Sequence, residues 1–285
     1  MSSAEITVID THVHLFPSKE VGQRVLDGVK RTFGTSYYCT GSPEELAETM
    51  QAAGISHAVI LNQAAASKEA MNWLLSGNFF VCAYSKKRPG LIPAIGLDKG
   101  MKRSPAAEIE HKLKWGARAV KLHPVAQKFH VNDREMWPIY QKCAETSLPI
   151  IFHCGKMMIK RMVNYAHPRL FHDVLKSFPT LMVVLAHMGG GFWEDATRLA
   201  NAFPENVYLD TAIALSAAPI PDFFRLSDDQ AVAMIRQIGP HRIMFGSDFP
   251  WINPKPDIAR IRGLPLTDEE KRMILGENAR AFFNI

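Results

Sequence analysis

Two histidines separated by one residue, His12 and His14, end an apolar run that begins at Ile6. The β-branched residues before them are typical of a buried strand. Residues two apart on a strand point the same way, so both imidazoles lie on one face, about 6–7 Å apart. This separation lets them bind one metal ion with bonds of about 2.0–2.1 Å. The same pattern also fits two histidines that lie at the surface or are hydrogen-bonded at a strand end without a metal. Residues elsewhere in the chain must therefore decide whether this is a metal site.

Other ligand-type side chains also follow apolar, strand-like runs. They are Lys121 and His123, His153, His187 and Asp248. A single histidine at a strand end more often binds a loop carbonyl than a metal or a substrate. The repetition of such residues at equivalent positions favours a shared site over packing. Glycines beside them allow sharp turns and close backbone approach; they are Gly155, Gly189 to Gly191 and Gly246.

These side chains belong to a regular alternation of strand-like and helical patterns. The strand-like runs cover residues 6–16, 57–62, 91–96, 117–124, 148–155, 181–187, 207–211 and 242–248. Alternation of this kind implies parallel βαβ units. Eight of them predict an α/β fold, a closed (β/α)8 TIM barrel with its active site at the carboxyl ends of the strands. A doubly wound open sheet is the alternative. Without a repeat or linker, we expect one domain over residues 1–285.

Several helices are predicted from their termini. Capping boxes begin at Ser42 and at Thr267. The long connection over residues 18–41 is expected either to fold over something or to carry its own helix. Residues 68–76 are helix-like, and residues 132–146 form a helix in which Pro138 marks a kink or the early turns. We expect the tail from Leu266 to pack helices against the outside of the barrel.

Composition narrows the class of protein. The chain has 285 residues, of which 47% are hydrophobic and 21% charged, and its formal net charge is +5. These values are typical of a soluble globular protein. Its basic clusters are too short to predict nucleic-acid binding. The four cysteines are scattered without a CxxC pair, which argues against a disulfide framework and a zinc ribbon. We find no leader and no apolar run long enough for a membrane span, and therefore expect a cytoplasmic protein.

Six motifs stand in order along nearly the whole chain. They are IDTHVH at 9–14, VKLHP at 120–124, IFHCG at 151–155, VLAHMGG at 184–190, FGSDFP at 245–250 and LGENARAF at 275–282. Together they resemble the amidohydrolase superfamily, in the amidohydrolase-related (amidohydrolase 2) branch similar to aminocarboxymuconate semialdehyde decarboxylase. The motifs are specific for the family and much less so for the substrate.

The resemblance implies a role for each matching residue. His12, His14, His153 and Asp248 match the residues that bind one divalent metal ion, most consistent with Zn²⁺, whereas Mn²⁺, Fe²⁺ and Ni²⁺ accept the same ligand types. His187 matches the catalytic histidine, which polarises the substrate or helps to move a proton. Asp248 is also catalytic, because it can accept a proton from a metal-activated water.

Lys121 and His123 are interpreted as substrate-binding residues. In binuclear relatives a lysine on the fourth strand is carboxylated and bridges two metals. The branch resembled here more usually has one metal, which leaves His123 for the substrate. For Lys121 the alternative is a buried ammonium group paired with Asp10 or Asp210. Asp10 is expected either to orient a ligand histidine or to cap the barrel floor.

Two reactions fit these residues. The first hypothesis is a metal-dependent hydrolase of a small, anionic amide, ester or lactone. The second is a non-oxidative decarboxylase of a small unsaturated or aromatic acid. A third hypothesis is a barrel that binds a ligand without catalysing a reaction. The presence of both candidate catalytic residues, His187 and Asp248, argues against it. Cations in the loops are candidates for binding a substrate carboxylate by position only; they are Arg24, Lys30, Arg31, Lys156 and Arg161. The resemblance also implies a homodimer.

Overall fold

Eight strands form one parallel sheet in the hydrogen-bonded order β1 to β8. The computed structural model describes residues 6–63, 68–156 and 164–285. The strands are β1 (Val8–Val13), β2 (Ile55–Leu61), β3 (Leu91–Gly96), β4 (Ala119–Leu122), β5 (Ile150–Phe152), β6 (Val183–Leu185), β7 (Val207–Asp210) and β8 (Ile243–Met244). With helices between successive strands, this order confirms the predicted (β/α)8 TIM-barrel fold.

The sequence explains where several of the α-helices begin. They are α1 (Lys19–Phe33), α2 (Pro43–Ala53), α3 (Lys68–Ser85), α4 (Pro105–Leu113), α5 (Pro124–Gln127), α6 (Trp137–Glu145), α7 (Phe171–Ser177), α8 (Trp193–Ala202), α9 (Asp228–Ile238), α10 (Pro254–Gly263), α11 (Asp268–Arg272) and α12 (Asn278–Phe283). The capping boxes at Ser42 and Thr267 are both formed. Pro138 lies in the first turn of α6, where its missing N–H costs no helical hydrogen bond.

The long connection after β1 carries its own helix, as one of the two alternatives predicted. Ser18 caps α1 by accepting a hydrogen bond from the Val21 N–H. Helix α3 extends to Ser85, well beyond the predicted end at residue 76. Among the described residues, none of the helices combines the length and the apolar run that a membrane crossing needs.

The chain clusters into two compact units. The first comprises residues 1–59 and 210–285, and the second comprises residues 60–209. The prediction of one domain over residues 1–285 stays a prediction.

In the first unit, β1 lies beside β8 and the segment that follows it. The Thr11 N–H donates to the Phe245 carbonyl at 2.9 Å, and the Asp248 N–H donates to the His12 carbonyl at 2.9 Å. Regular strand geometry in β8 ends at Met244, so the predicted strand over 242–248 is too long. The tail packs here too, because the Phe245 N–H donates to the Ile274 carbonyl at 2.8 Å.

In the second unit, the parallel register aligns the ends of three neighbouring strands. Leu122 of β4 pairs with Phe152 of β5, and Phe152 pairs with Leu185 of β6. The His153 N–H then donates to the Leu122 carbonyl at 2.9 Å. Residues that follow these strands therefore emerge at one edge of the sheet.

Candidate metal centre

His12, His14 and Asp248 meet at the carboxyl end of β1. Asp248 Oδ1 lies 3.5 Å from His12 Nε2 and 3.4 Å from His14 Nε2. Both imidazoles are buried, whereas the Asp248 side chain is 16% exposed. Ligands of a tetrahedral ion with bonds of about 2.1 Å stand about 3.4 Å apart. Both distances to Asp248 match this value, and the three ligand atoms all lie within 4.8 Å of one another, as binding of one divalent ion requires.

Asp210, at the end of β7, determines which nitrogen of His12 faces the candidate metal position. Its Oδ2 lies 2.8 Å from His12 Nδ1, and both side chains are buried. A carboxylate oxygen only accepts, so the imidazole carries its proton on Nδ1 and directs the Nε2 lone pair toward Asp248. Two acceptors, His12 Nε2 and Asp248 Oδ1, thus face each other. A cation between them fits this arrangement.

Asp10 forms hydrogen bonds with the backbone and a hydroxyl group around the site rather than with an imidazole ring. It accepts hydrogen bonds from the His12 N–H at 3.1 Å, the Ser247 N–H at 3.0 Å and the Ser247 hydroxyl at 2.5 Å. Burial raises the pKa of Asp10 to about 7, although the Ser247 hydroxyl acts in the opposite direction. Asp10 thereby joins the two segments that present His12 and Asp248.

Gly246 leaves room for the His12–Asp210 pair. A Cβ atom at this position would lie 2.9 Å from the Cβ of His12 and 3.4 Å from that of Asp210. Real Cβ contacts are rarely that short on the His12 side, so any side chain here would displace the imidazole. The predicted close backbone approach at Gly246 is confirmed.

Three histidines form a second cluster, in the unit that contains β4 to β6. The rings of His123 and His153 stack with centroids 4.0 Å apart and planes at 6°. His153 Nδ1 lies 3.1 Å from His187 Nε2, so one nitrogen donates to the other. All three side chains are buried. The common sheet edge described above explains why residues 34 positions apart in sequence share a hydrogen bond.

His123 is oriented as a hydrogen-bond donor. Its Nδ1 accepts from the Ala126 N–H at 3.1 Å, in the first turn of α5. A neutral imidazole whose Nδ1 accepts carries its proton on Nε2. Such a ring suits a contact with a substrate oxygen, in keeping with the predicted role of His123.

Lys121 is almost completely buried on β4, with 1% of its surface exposed, between Gly96 of β3 and Ile151 of β5. Its substrate-binding role stays a prediction.

Among the loop cations, three are exposed on α1 and Lys156 is half-buried with its Nζ 5.2 Å from the Phe192 ring. Arg161 lies outside the described residues. The three exposed cations are Arg24, Lys30 and Arg31.

Two of the candidate catalytic residues have left-handed backbones. His187 has φ 61° and ψ 29°, Met188 after it has φ 50°, and Asp248 has φ 67°. This conformation costs an L-residue roughly 1–2 kcal/mol. Strain of this kind persists where the surrounding structure imposes it, commonly at functional sites. The sequence carries no signal for it beyond the glycines that follow His187.

The loops after β5 and β6 cross in direct backbone contact. A Cβ on Gly155 would lie 2.3 Å from the Gly190 carbonyl oxygen, and a Cβ on Gly190 would lie 2.2 Å from the Cys154 carbonyl oxygen. The Lys156 N–H donates to the Gly190 carbonyl at 2.8 Å. The close backbone approach predicted at these glycines is therefore present, and it brings together the loops that carry His153 and His187.

Comparison with known proteins identifies the family. The amidohydrolase family model (Amidohydro_2) matches residues 9–285. The chain belongs to this amidohydrolase family. Membership confirms the resemblance seen in the motifs and makes the protein an enzyme of the amidohydrolase superfamily. A comparison with curated proteins gave no match.

Solved structures of other proteins share the fold over nearly the full length. An uncharacterised TIM-barrel protein from Bordetella bronchiseptica is 22% identical, with 98% of each chain covered and a TM-score of 0.76. The 5-carboxyvanillate decarboxylase from Sphingomonas paucimobilis is 18% identical, with 99% of this chain and 100% of that chain covered and a TM-score of 0.71. A dihydroxybenzoic acid decarboxylase from Polaromonas sp. JS666, with bound manganese and the inhibitor 2-nitroresorcinol, is 16% identical over 98% and 97% of the chains, with a TM-score of 0.74.

The structure thus brings three of the four predicted metal ligands together in the first unit, namely His12, His14 and Asp248. In the second unit it joins His153 to His187. Sequence reasoning missed the contact between Asp210 and His12. The position of Asp210 at the end of an apolar run was the available signal, because every other candidate was found at such an end.

Proposed function

We propose that this amidohydrolase is a metal-dependent, non-oxidative decarboxylase of a small unsaturated or aromatic carboxylic acid. The observation that carries the proposal is the His12–His14–Asp248 arrangement, in which both imidazoles are buried. Its support is that this arrangement occurs in a chain whose full-length structural neighbours include decarboxylases of 5-carboxyvanillate and dihydroxybenzoic acid.

The residues proposed to hold the metal are His12, His14 and Asp248, with His153 as the fourth ligand predicted from the family motif. When bound, a divalent ion supplies Lewis-acid attraction for the substrate's oxygens and for charge that develops during the reaction. Imidazole and carboxylate ligands suit both Zn²⁺ and Mn²⁺. The neighbouring decarboxylase with bound manganese supports Mn²⁺ as strongly as ligand type supports Zn²⁺.

The chain's own groups would supply the proton. Decarboxylation breaks the bond between the substrate carbon and its carboxylate, and carbon dioxide leaves while the electron pair stays on that carbon. One proton must then reach the carbon. We assign its delivery to His187, whose Nε2 shares a hydrogen bond with His153 Nδ1 at 3.1 Å. His123, with its proton on Nε2, would donate a hydrogen bond to a substrate oxygen.

Hydrolysis of an amide, ester or lactone is the second candidate. The observation that favours it is the partly exposed Asp248 carboxylate beside two imidazoles, which can accept a proton from an attacking water. In this reaction His187 would stabilise the oxyanion that forms as the water adds.

A substrate panel with the metal-loaded enzyme separates the two reactions. We expect carbon dioxide release from one or more hydroxybenzoates or unsaturated acids, with loss of both metal and turnover in His12→Ala. Turnover of lactones or amides without carbon dioxide release would replace the proposal by the second candidate. The homodimer implied by the resemblance is proposed as well, and the mass in solution tests it.

A further inference from the structure

Trp251 packs directly against a proposed metal ligand. Its ring and that of His14 have centroids 5.1 Å apart and planes at 88°, an edge-to-face contact. The Trp251 N–H also donates to the Asp248 carbonyl at 3.0 Å, which closes the turn between the two residues. The ring of Trp251 therefore packs on His14 while its backbone is bonded to Asp248, and both of these residues are proposed metal ligands.

The turn alternates between open and buried side chains. Phe249 and Pro250 are buried, whereas Asp248 and Trp251 on either side of them remain partly exposed. A tryptophan that served only the core would resemble Phe249, which is 1% exposed. Trp251 instead remains partly exposed, three residues after Asp248, with its ring against His14. Its position beside His14 brings the residue within reach of a molecule held by His14 and Asp248.

We propose that Trp251 is a specificity-determining residue, whose indole ring contacts the planar ring or unsaturated chain of the substrate acid. This inference rests on the proposed function for its acid substrate. Aromatic rings attract one another edge-to-face or offset-stacked at centroid distances of about 4.5–7 Å. The rings of His14 and Trp251 already make an edge-to-face contact at such a distance. A saturated ring of the same size and charge cannot use the same electrostatic complementarity, so Trp251 favours the planar acid.

Two matched acids test this preference without a turnover assay. Binding of 2-hydroxybenzoate and of cis-2-hydroxycyclohexanecarboxylate to the Mn²⁺-loaded enzyme is measured by calorimetry. The two acids share their charge and functional groups and differ in planarity. We expect the wild type to bind the planar acid about tenfold more tightly or better, and Trp251→Leu to bring the two affinities to within about threefold. Trp251→Phe should keep most of the preference.

Trp73→Leu is the matched control. Trp73 lies on α3 and is 71% exposed, outside the residues that form the proposed metal centre. It should leave both affinities unchanged. Metal content is measured in every variant, because Trp251 also packs against His14. An unchanged preference in metal-replete Trp251→Leu, or no binding of the planar acid to the wild type, would overturn the inference.

If Trp251→Leu loses its metal or fails to fold, fluorescence quenching in the conservative variant Trp251→Phe tests whether Trp251 lies at the bound acid. A bound nitroaromatic acid, 2-nitrobenzoate, quenches nearby indoles. Trp251→Phe should lose most of the quenching seen in the wild type, and Trp73→Phe should keep it. Full quenching in Trp251→Phe contradicts the inference. If the wild type prefers the planar acid but releases no carbon dioxide, only the proposed reaction is overturned. If carbon dioxide is released but substitutions at Trp251 do not change the preference for the planar acid, only this inference is overturned.

Discussion

His12 donates its Nδ1–H to Asp210 Oδ2 at 2.8 Å, between two side chains that are both buried. The two residues are 198 positions apart in the sequence. Their hydrogen bond sets the tautomer and the orientation of the imidazole. The Nε2 lone pair therefore faces Asp248 before any ion arrives.

Asp210→Asn should weaken metal binding without abolishing it. The amide can donate to Nδ1 and so favour the wrong tautomer, and changes to partners of this kind typically lower metal affinity by about 10–100-fold. Titration with Zn²⁺ and Mn²⁺ measures the effect. Asp222→Asn, at a side chain 99% exposed, is the control and should bind as the wild type does. Equal affinities in the two variants would contradict the role given to Asp210.

The proposed division of roles predicts different outcomes for two histidines. His12→Ala should lose both metal and turnover, because it removes one of few protein ligands. His187→Ala should retain the metal and lose rate by on the order of 10²–10⁴, as expected for a positioned acid or base. Metal analysis beside turnover measures both. Asp248→Asn should lose more rate than metal, since its amide oxygen still coordinates but cannot take a proton.

His153→Ala tests the fourth ligand. If His153 binds the ion, this variant should lose metal as His12→Ala does. Retention of the metal in His153→Ala together with its loss in His187→Ala would reverse the two assignments.

Gly155→Ala should destabilise the second unit strongly. Gly155 has φ 100°, and its Cβ would lie 2.3 Å from the Gly190 carbonyl oxygen. Overpacking of this kind costs about 1–3 kcal/mol beyond the penalty of roughly 1–2 kcal/mol for the left-handed backbone. Gly116→Ala is the control, because Gly116 has φ 88° with nothing within 4 Å of the added Cβ. Chemical denaturation should show the larger loss in Gly155→Ala, and equal losses would rule out a tight crossing of the loops.

Asp257 makes stability depend on pH. Burial raises the pKa of this side chain from 3.8 to about 7, although the Ala217 N–H donates to it at 2.8 Å. Between these two values the folded protein holds a proton that the unfolded chain has lost. Stability therefore falls as the pH rises from about 4 to about 7, by at most about 4 kcal/mol from this group.

Asp257→Asn removes this dependence while keeping an oxygen that accepts from Ala217. The free energy of unfolding of the variant, relative to the wild type, should rise between pH 4 and pH 8. Asp229→Asn, at an exposed position of α9, provides the reference and should follow the wild-type curve. Parallel curves for wild type and Asp257→Asn would exclude a buried, protonated Asp257.

Local patterns in the sequence were enough to predict the fold and the residues that end its strands. Apolar runs and capping boxes depend on neighbours a few positions apart, so the strands, α2 and the start of α11 could be predicted. The motif HxH gave two side chains on one face for the same reason. Family motifs then assigned roles to His153, His187 and Asp248, and these assignments stay predictions.

Only the tertiary structure decided which side chains serve the candidate ligands. The contact of Asp210 with His12 and that of Trp251 with His14 join residues that lie 198 and 237 positions apart in the sequence, and no periodicity encodes such pairs. The left-handed backbones of His187 and Asp248 were also unpredictable, because His and Asp adopt that conformation more often than most non-glycine residues but still in a small minority of cases. It is imposed by the loops around them, where hydrogen bonds from distant segments outweigh a local cost of roughly 1–2 kcal/mol.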